Sequence, residues 1–417
     1  MRAIYCLIRA LRVGEYQQSA SERVGRYAFC ERYIQQLTLN AADDALFESL
    51  NEFILMHTLR TSTMGPALPK LITLIFTSPG DNEEWVLFTG AAYCIASLCL
   101  SPTVRELHYS IETNDPDILE NEATSFFQAV SAICTGLSSL HISIESADGA
   151  ADRFDMSQSF SMSISKTVAA LPALFSFSFP EWAISDSLLS FLSVHKTLSQ
   201  LTVTNDEYQY CAPDVGPRST QSPPTGWFLS LRELSISAHI ETLKTFLPQP
   251  EWGAATGLPM DQMPMLEYLT LESDSEEYDE PWFSMTSSFH LLRTCRRITH
   301  LDLSINFRPP MSDAEIEVLA STWPRLQSLS FGIPDYRLGG FETNMTSTSL
   351  LHLATHCHSL TYLNTRLSNL EDLTIPTAFV SSPALITLEL HSQKGFARVP
   401  VEAYLQRLWP TARLHLT

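Results

Sequence analysis

The chain has 417 residues, 45% of them hydrophobic, with only 15 glycines and a formal net charge of −20 at pH 7. Residues 1–60 balance seven basic against seven acidic side chains, so the excess lies beyond them, 19 basic against 39 acidic. A surface this acidic repels phosphate backbones and argues against nucleic acid as a partner, while so few glycines argue against phosphate-cradling loops as a main theme. Its eight cysteines, at 6, 30, 94, 99, 134, 211, 295 and 357, form no C-x-x-C pair, so neither a zinc knuckle nor a redox motif is suggested.

Residues 1–33 read as a helical or linker segment. Arg9 and Arg12 interrupt the apolar stretch that a signal peptide needs, and the expected location is cytoplasmic or nuclear. From Ile34 the pattern apolar-x-x-Leu-x-apolar begins with "IQQLTL". Close or looser copies start at Leu71, Val104, Leu137, Leu174, Leu198, Leu231, Leu266, Ile298, Leu326, Leu360, Leu385 and Thr411, thirteen in all at steps of 24 to 37 residues. In "ITHLDL" the alternation of a strand puts Leu301 and Leu303 on one face and His300 and Asp302 on the other. One such strand cannot bury its leucines alone; stacked copies can.

Helical spacing fills most gaps. Asp43–His57, Glu122–Cys134, Ser185–His195, Ser312–Trp323 and Ser347–Cys357 read as helices, the last two opened by Ser cap candidates. The apolar run Trp85–Leu100 is too short to span a membrane comfortably and reads as a helix leading into a strand. The expected fold is α/β: a solenoid over residues 34–417, with a parallel sheet on the concave face and helices on the convex face, shaped as a horseshoe. Three loop insertions are expected, at 146–166, 205–226 and 248–264. The run "ESDSEEYDE", Glu272–Glu280, holds six acids and no base. It reads as a solvated loop, or as a dock for a basic segment.

The stretches "MSDAEIEVLASTWPRLQSLSFG" and "TSTSLLHLATHCHSLTYLN" resemble repeats of leucine-rich F-box proteins, in which a helix ends in Cys or Trp before the next strand. "RVGRYAFCERYIQQLTLN" resembles the segment joining an F-box to its first repeat in fungal members. The resemblance implies a leucine-rich-repeat solenoid that binds a protein substrate as part of an SCF ubiquitin-ligase subunit. The F-box itself is not recognised, so a Skp-type adaptor is expected only if an F-box lies upstream. The alternative is a stand-alone repeat scaffold or inhibitor.

H-E-x-x-H, G-x-S-x-G, G-x-G-x-x-G and the Walker pattern are absent, and no enzymatic activity or cofactor is expected. His352, His356 and Cys357 have a spacing that could face one metal ion, but they also lie on the repeat helix's own core stripe, and no metal site is expected. The candidate binding residues are the polar and aromatic ones between the buried leucines. They are Glu233, Tyr268, Glu272, His300, Asp302, Tyr362, Asn364, Arg366, Glu389 and His391. The expected ligand is a protein, with a basic segment fitting the acidity; no membrane partner is expected.

Overall fold

A computed structural model describes residues 34–40, 68, 70–78, 96–97, 99–112, 123–145, 158–205, 228–238, 263–272, 294–305, 311–331, 343–368, 373–377, 379, 381–392 and 398–416. The expected helix Asp43–His57 lies outside them, as do nearly all of the second and third insertions and the acidic run beyond Glu272. The chain divides into two compact units, Met1–Ser199 with Asp206–Gly216, and Gln200–Asn205 with Pro217–Thr417.

The first unit carries β1 (Gln36–Asn40), β2 (Thr73–Ser78), β3 (Glu106–Glu112), β4 (Ser139–Glu145) and β5 (Ser176–Pro180). The strands pair in parallel and in chain order. Each begins two residues after the start of its sequence motif, and the pairing keeps equivalent positions opposite one another: Leu37, Leu74, Leu107, Leu140 and Phe177 fall in one row. That row and the next apolar one are buried, while the residues between them lie on the opposite face, half-buried on β2 to β5 and exposed at Thr38 on β1.

A recurring bond sets this register. The carbonyl just before each strand accepts two successive amides of the following repeat: Gln35 O accepts from Ile72 N at 2.7 Å and Thr73 N at 3.0 Å, and Ile72 O from Arg105 N at 2.8 Å and Glu106 N at 3.1 Å. A tight turn precedes it. Leu71 N donates to Leu68 O and Leu137 N to Cys134 O, which turns the first apolar residue of each motif inward.

Helices cover the leucine face. α1 (Thr124–Ile133) places Phe126 and Phe127 against Tyr109, with ring centroids 5.7 and 5.1 Å away, and Phe126 also meets Phe76. α2 (Gln158–Ala169) continues the run through Phe160, 5.9 Å from Phe127. This corrects the expectation of a loop over 146–166, because residues from Gln158 onward are helical. Phe160, Ile164 and Val168 recur every fourth residue and are buried, and the intervening serines disguise the stripe. α3 (Asp186–Ser193) is capped by Ser185, whose hydroxyl accepts from Leu188 N at 3.2 Å.

The second unit holds β6 (Gln200–Thr204), β7 (Glu233–Ser237), β8 (Tyr268–Glu272), β9 (His300–Ser304), β10 (Ser328–Ser330), β11 (Tyr362–Leu367), β12 (Thr387–Ser392) and β13 (Arg413–Leu416). They also pair in parallel, in chain order and in motif register. α4 (Asp313–Thr322) opens with a capping box in which Ser312 and Glu315 satisfy each other's backbone, and it buries Ile316, Leu319 and Ala320. α5 (Ser347–His356) starts at the Thr346 cap, and α6 (Arg398–Leu408) tolerates Pro400 because Pro400 lies in the first turn.

The residues closing each repeat join neighbours together. Trp323 donates its indole N–H to Cys295 O at 3.1 Å, and the Cys357 thiol lies 3.7 Å from the carbonyls of Ala320 and Trp323. Both cysteines are fully buried and pack as small hydrophobes.

Candidate functional site

Because the register does not slip, residues with the same motif position form rows across the strand face. In the second unit the row that opens each strand reads Gln200, Glu233, Tyr268, His300, Ser328, Tyr362, Thr387 and Arg413. The row two residues on reads Thr202, Ser235, Thr270, Asp302, Ser330, Asn364, Glu389 and His415. Most of the sequence-predicted residues stand in these two rows. Glu272, Arg366 and His391 come two residues further along their strands.

Tyr268 and His300 stack, with ring centroids 4.3 Å apart and planes 18° from parallel, and Tyr268 is 42% exposed. Thr299 Oγ1 lies 3.2 Å from Glu267 O and 2.9 Å from His300 Nδ1. Burial lowers the His300 pKa, which favours the neutral ring.

Asp302 lies two residues along β9 on the same face. Burial raises its pKa, and hydrogen bonds from Ser330 and Ser304 oppose that rise. Tyr362 donates to Glu389 Oε2 at 3.2 Å; burial, and then the Glu389 charge, hold its phenol above the ordinary value. Asn364 engages Tyr362 through its side chain, yet its Oδ1 is buried without a hydrogen-bond partner. His391 has its pKa lowered by burial, while Glu389 raises it and Arg366 lowers it. Gln200 Nε2 donates to Glu233 Oε2 at 2.9 Å. Glu272 is exposed at the end of β8.

Two clusters therefore form, one on β8 and β9 and the other on β11 and β12. Between them stand Ser328 and Ser330, residues the sequence reading passed over. Aligning the motif copies as rows would have exposed both as small residues flanked by large ones. The first unit has its own polar patch. His108 Nε2 lies 3.0 Å from Glu106 Oε1, Thr73 donates to Glu106 Oε2 at 3.0 Å, and the His141 ring is 5.5 Å from that of His108.

The candidate triplet on α5 does not converge. Cys357 is buried and its thiol is pushed up to about 12 by burial, whereas His352 faces Glu317 at 4.0 Å on α4. No group of three or more His, Cys, Asp or Glu suited to a metal ion occurs among the described residues. Also among the described residues, no helix is long and apolar enough to cross a membrane.

No protein-family model matches the chain, and no curated protein matches it. Among solved structures it is similar to the leucine-rich-repeat-containing protein LegL7 from Legionella pneumophila, at 11% identity and a TM-score of 0.39, over 91% of this chain and 98% of that one. It is also similar to a chain in the crystal structure of the TLR13–ssRNA13 complex, at 13% identity and a TM-score of 0.36, over 84% of this chain and 47% of that one. The repeat itself and the in-register parallel strands with helices between them decide the class. Each unit has the α/β fold of a leucine-rich-repeat solenoid.

Proposed function

We propose that this chain is a protein-binding module, and that its partner docks on the strand face of the second unit, between Glu233 and His391. The carrying observation is the slip-free register. It gathers Tyr268, His300, Asp302, Tyr362, Asn364 and Glu389 into neighbouring rows on four of five consecutive strands. The six strands from β7 to β12, at about 4.8 Å each, span roughly 24 Å, which is the scale of a protein surface rather than a metabolite pocket. Tyrosines held by stacking or by a phenol hydrogen bond make good anchors, because little side-chain freedom remains to be lost on binding. The net acidity supports a partner with a basic segment rather than a nucleic acid.

The module serves as the substrate-recognition part of an F-box-type ubiquitin-ligase subunit in the cytoplasm or nucleus. The likeness of its Met311–Gly332 and Thr346–Asn364 stretches to repeats of that family supports this role. Such a receptor performs no chemistry of its own; it positions another protein.

The test is affinity capture of the full-length gene product from its own cells, beside the Tyr268→Ala/Tyr362→Ala double variant. The expected result is a captured protein that the variant loses and a Skp-type adaptor that both retain. Capture that is indifferent to both tyrosines would overturn the binding-face assignment. A partner lost by the variant with no adaptor in either sample would replace the ligase role with that of a scaffold or inhibitor.

A further inference from the structure

The row that opens the strands places small Ser328 between His300 on β9 and Tyr362 on β11. The next row places Ser330 between Asp302 and Asn364. Two strand spacings separate the flanking residues, roughly 10 Å between Cα atoms. A planar group sandwiched between two rings needs about 7 Å, two van der Waals contacts of ~3.5 Å. The serines therefore floor a notch with an aromatic wall on either side. Asp302 is close enough across it for its charge to raise the Tyr362 pKa.

The charged group at this notch is Asp302, whose half-buried carboxylate lies in the row beside the one that holds the His300 and Tyr362 rings. The matching ligand is flat, cationic and made only of donors. A guanidinium fits each requirement, since it presents five N–H groups in a rigid plane and stacks on aromatic faces. An ammonium has the charge but not the plane, and a phosphate would meet carboxylate. Arg366, two residues past Asn364 on β11, is in register with His391 and acts there against Glu389.

We propose that the notch over Ser328 and Ser330 receives an arginine side chain of the bound protein, its guanidinium held between His300 and Tyr362 with Asp302 as counter-charge. This rests on the protein-binding reading of the same face, and it narrows the partner from a basic segment to one that presents an arginine.

Three peptides test it, Gly-Ser-Xaa-Ser-Gly with Xaa as arginine, lysine or citrulline. Each is titrated into the full chain with ¹³C-labelled histidine and tyrosine rings. The His300 and Tyr362 signals are assigned from His300→Gln and Tyr362→Phe. The arginine peptide should shift both rings and bind about tenfold more tightly than either of the others. Ser328→Leu fills the notch from a half-buried strand-face position outside the leucine rows, and it should abolish that preference while leaving the circular dichroism unchanged. Equal affinity for lysine and arginine, an arginine preference that survives Ser328→Leu, or no shift of either ring would each overturn the proposal. If it fails while Tyr268→Ala/Tyr362→Ala still loses the captured protein, only the arginine notch is wrong. If no captured protein depends on those tyrosines, the binding-face reading is what has failed.

Discussion

Asp313 lies in the first turn of α4 but serves the next repeat. Its Oδ1 accepts from Thr346 N at 2.7 Å, from Ser349 N at 3.1 Å and from the Ser349 hydroxyl, and its Oδ2 accepts from the Thr346 hydroxyl at 2.6 Å. One carboxylate thus satisfies the amide of the cap residue Thr346 and shares that of Ser349, which also donates to Thr346 O at 3.1 Å. A hydrogen bond to a charged group contributes ~1.5–3 kcal/mol, but these four act as a unit, and water replaces part of them at a half-buried site. We expect Asp313→Ala to cost about 3 kcal/mol, most of it local to α5. Asp313→Asn retains an acceptor oxygen for the two amides and should cost about 1 kcal/mol. Hydrogen exchange read by mass spectrometry on a peptide covering Thr346–His356 measures this directly. The alanine variant should speed exchange there roughly a hundredfold, while the β8–β9 peptides stay protected. If the Thr346 and Ser349 amides exchange at the wild-type rate in Asp313→Ala, the carboxylate does not hold the helix and the stacking argument between α4 and α5 is wrong.

Three other outcomes are expected. Leu301→Ala should lower stability by about 2–5 kcal/mol in urea unfolding, because its side chain is fully buried. His300→Ala, on the opposite face, should cost well under half of that; equal losses would contradict the face assignment. The thiols of Cys99, Cys134 and Cys357 are pushed up by burial to about 12, about 11 and about 12, so iodoacetamide at about pH 8 should spare them in the folded protein and label them after denaturation. Labelling of the native protein at these positions would show that the repeat-closing turns open. His141 has its pKa lowered below 6.5, first by burial and then by neighbouring His108. The unfolded chain therefore takes up this proton more readily than the folded one, and stability falls as the pH drops below 6.5. His141→Gln should shrink the loss of urea midpoint between about pH 7.5 and 5; an unchanged loss would refute the assignment.

How much could be read in advance depended on what each feature is made of. The strands were legible because the motif states their face and their start together: Ile298 marks the inward turn, and two residues later His300 begins β9. The helices α4 and α5 were legible through Ser312 and Ser347, whose hydroxyls announce a first turn, although the cap of α5 falls one residue earlier than read, on Thr346. α2 was hidden because Ser161, Ser163 and Ser165 stand among Phe160, Ile164 and Val168, and serine is common in loops. α6 was missed with Pro400 near its start, although Val401, Tyr404, Leu405 and Leu408 carry its buried stripe. The candidate site was half legible. Alternation identified which residues leave the core, and so named Tyr268, His300 and Tyr362. It could not show that Thr299 ties His300 to a carbonyl of the preceding repeat, nor that Ser330 restrains Asp302. Those contacts join residues about 30 positions apart, and only the stacking of repeats brings them together.

Adjacent motif copies lie side by side without slip, and a disulfide reports that most directly. Ser235 on β7 and Thr270 on β8 are opposite one another on the polar face, whereas Glu272 is opposite Ser237. Neighbouring parallel strands set facing Cα atoms about 5 Å apart, within reach of a disulfide. Mild oxidation of Ser235→Cys/Thr270→Cys should give the 235–270 linked peptide in near-complete yield by mass spectrometry, and Ser235→Cys/Glu272→Cys should give almost none. The reverse pattern, or equal yields from both pairs, would contradict the register.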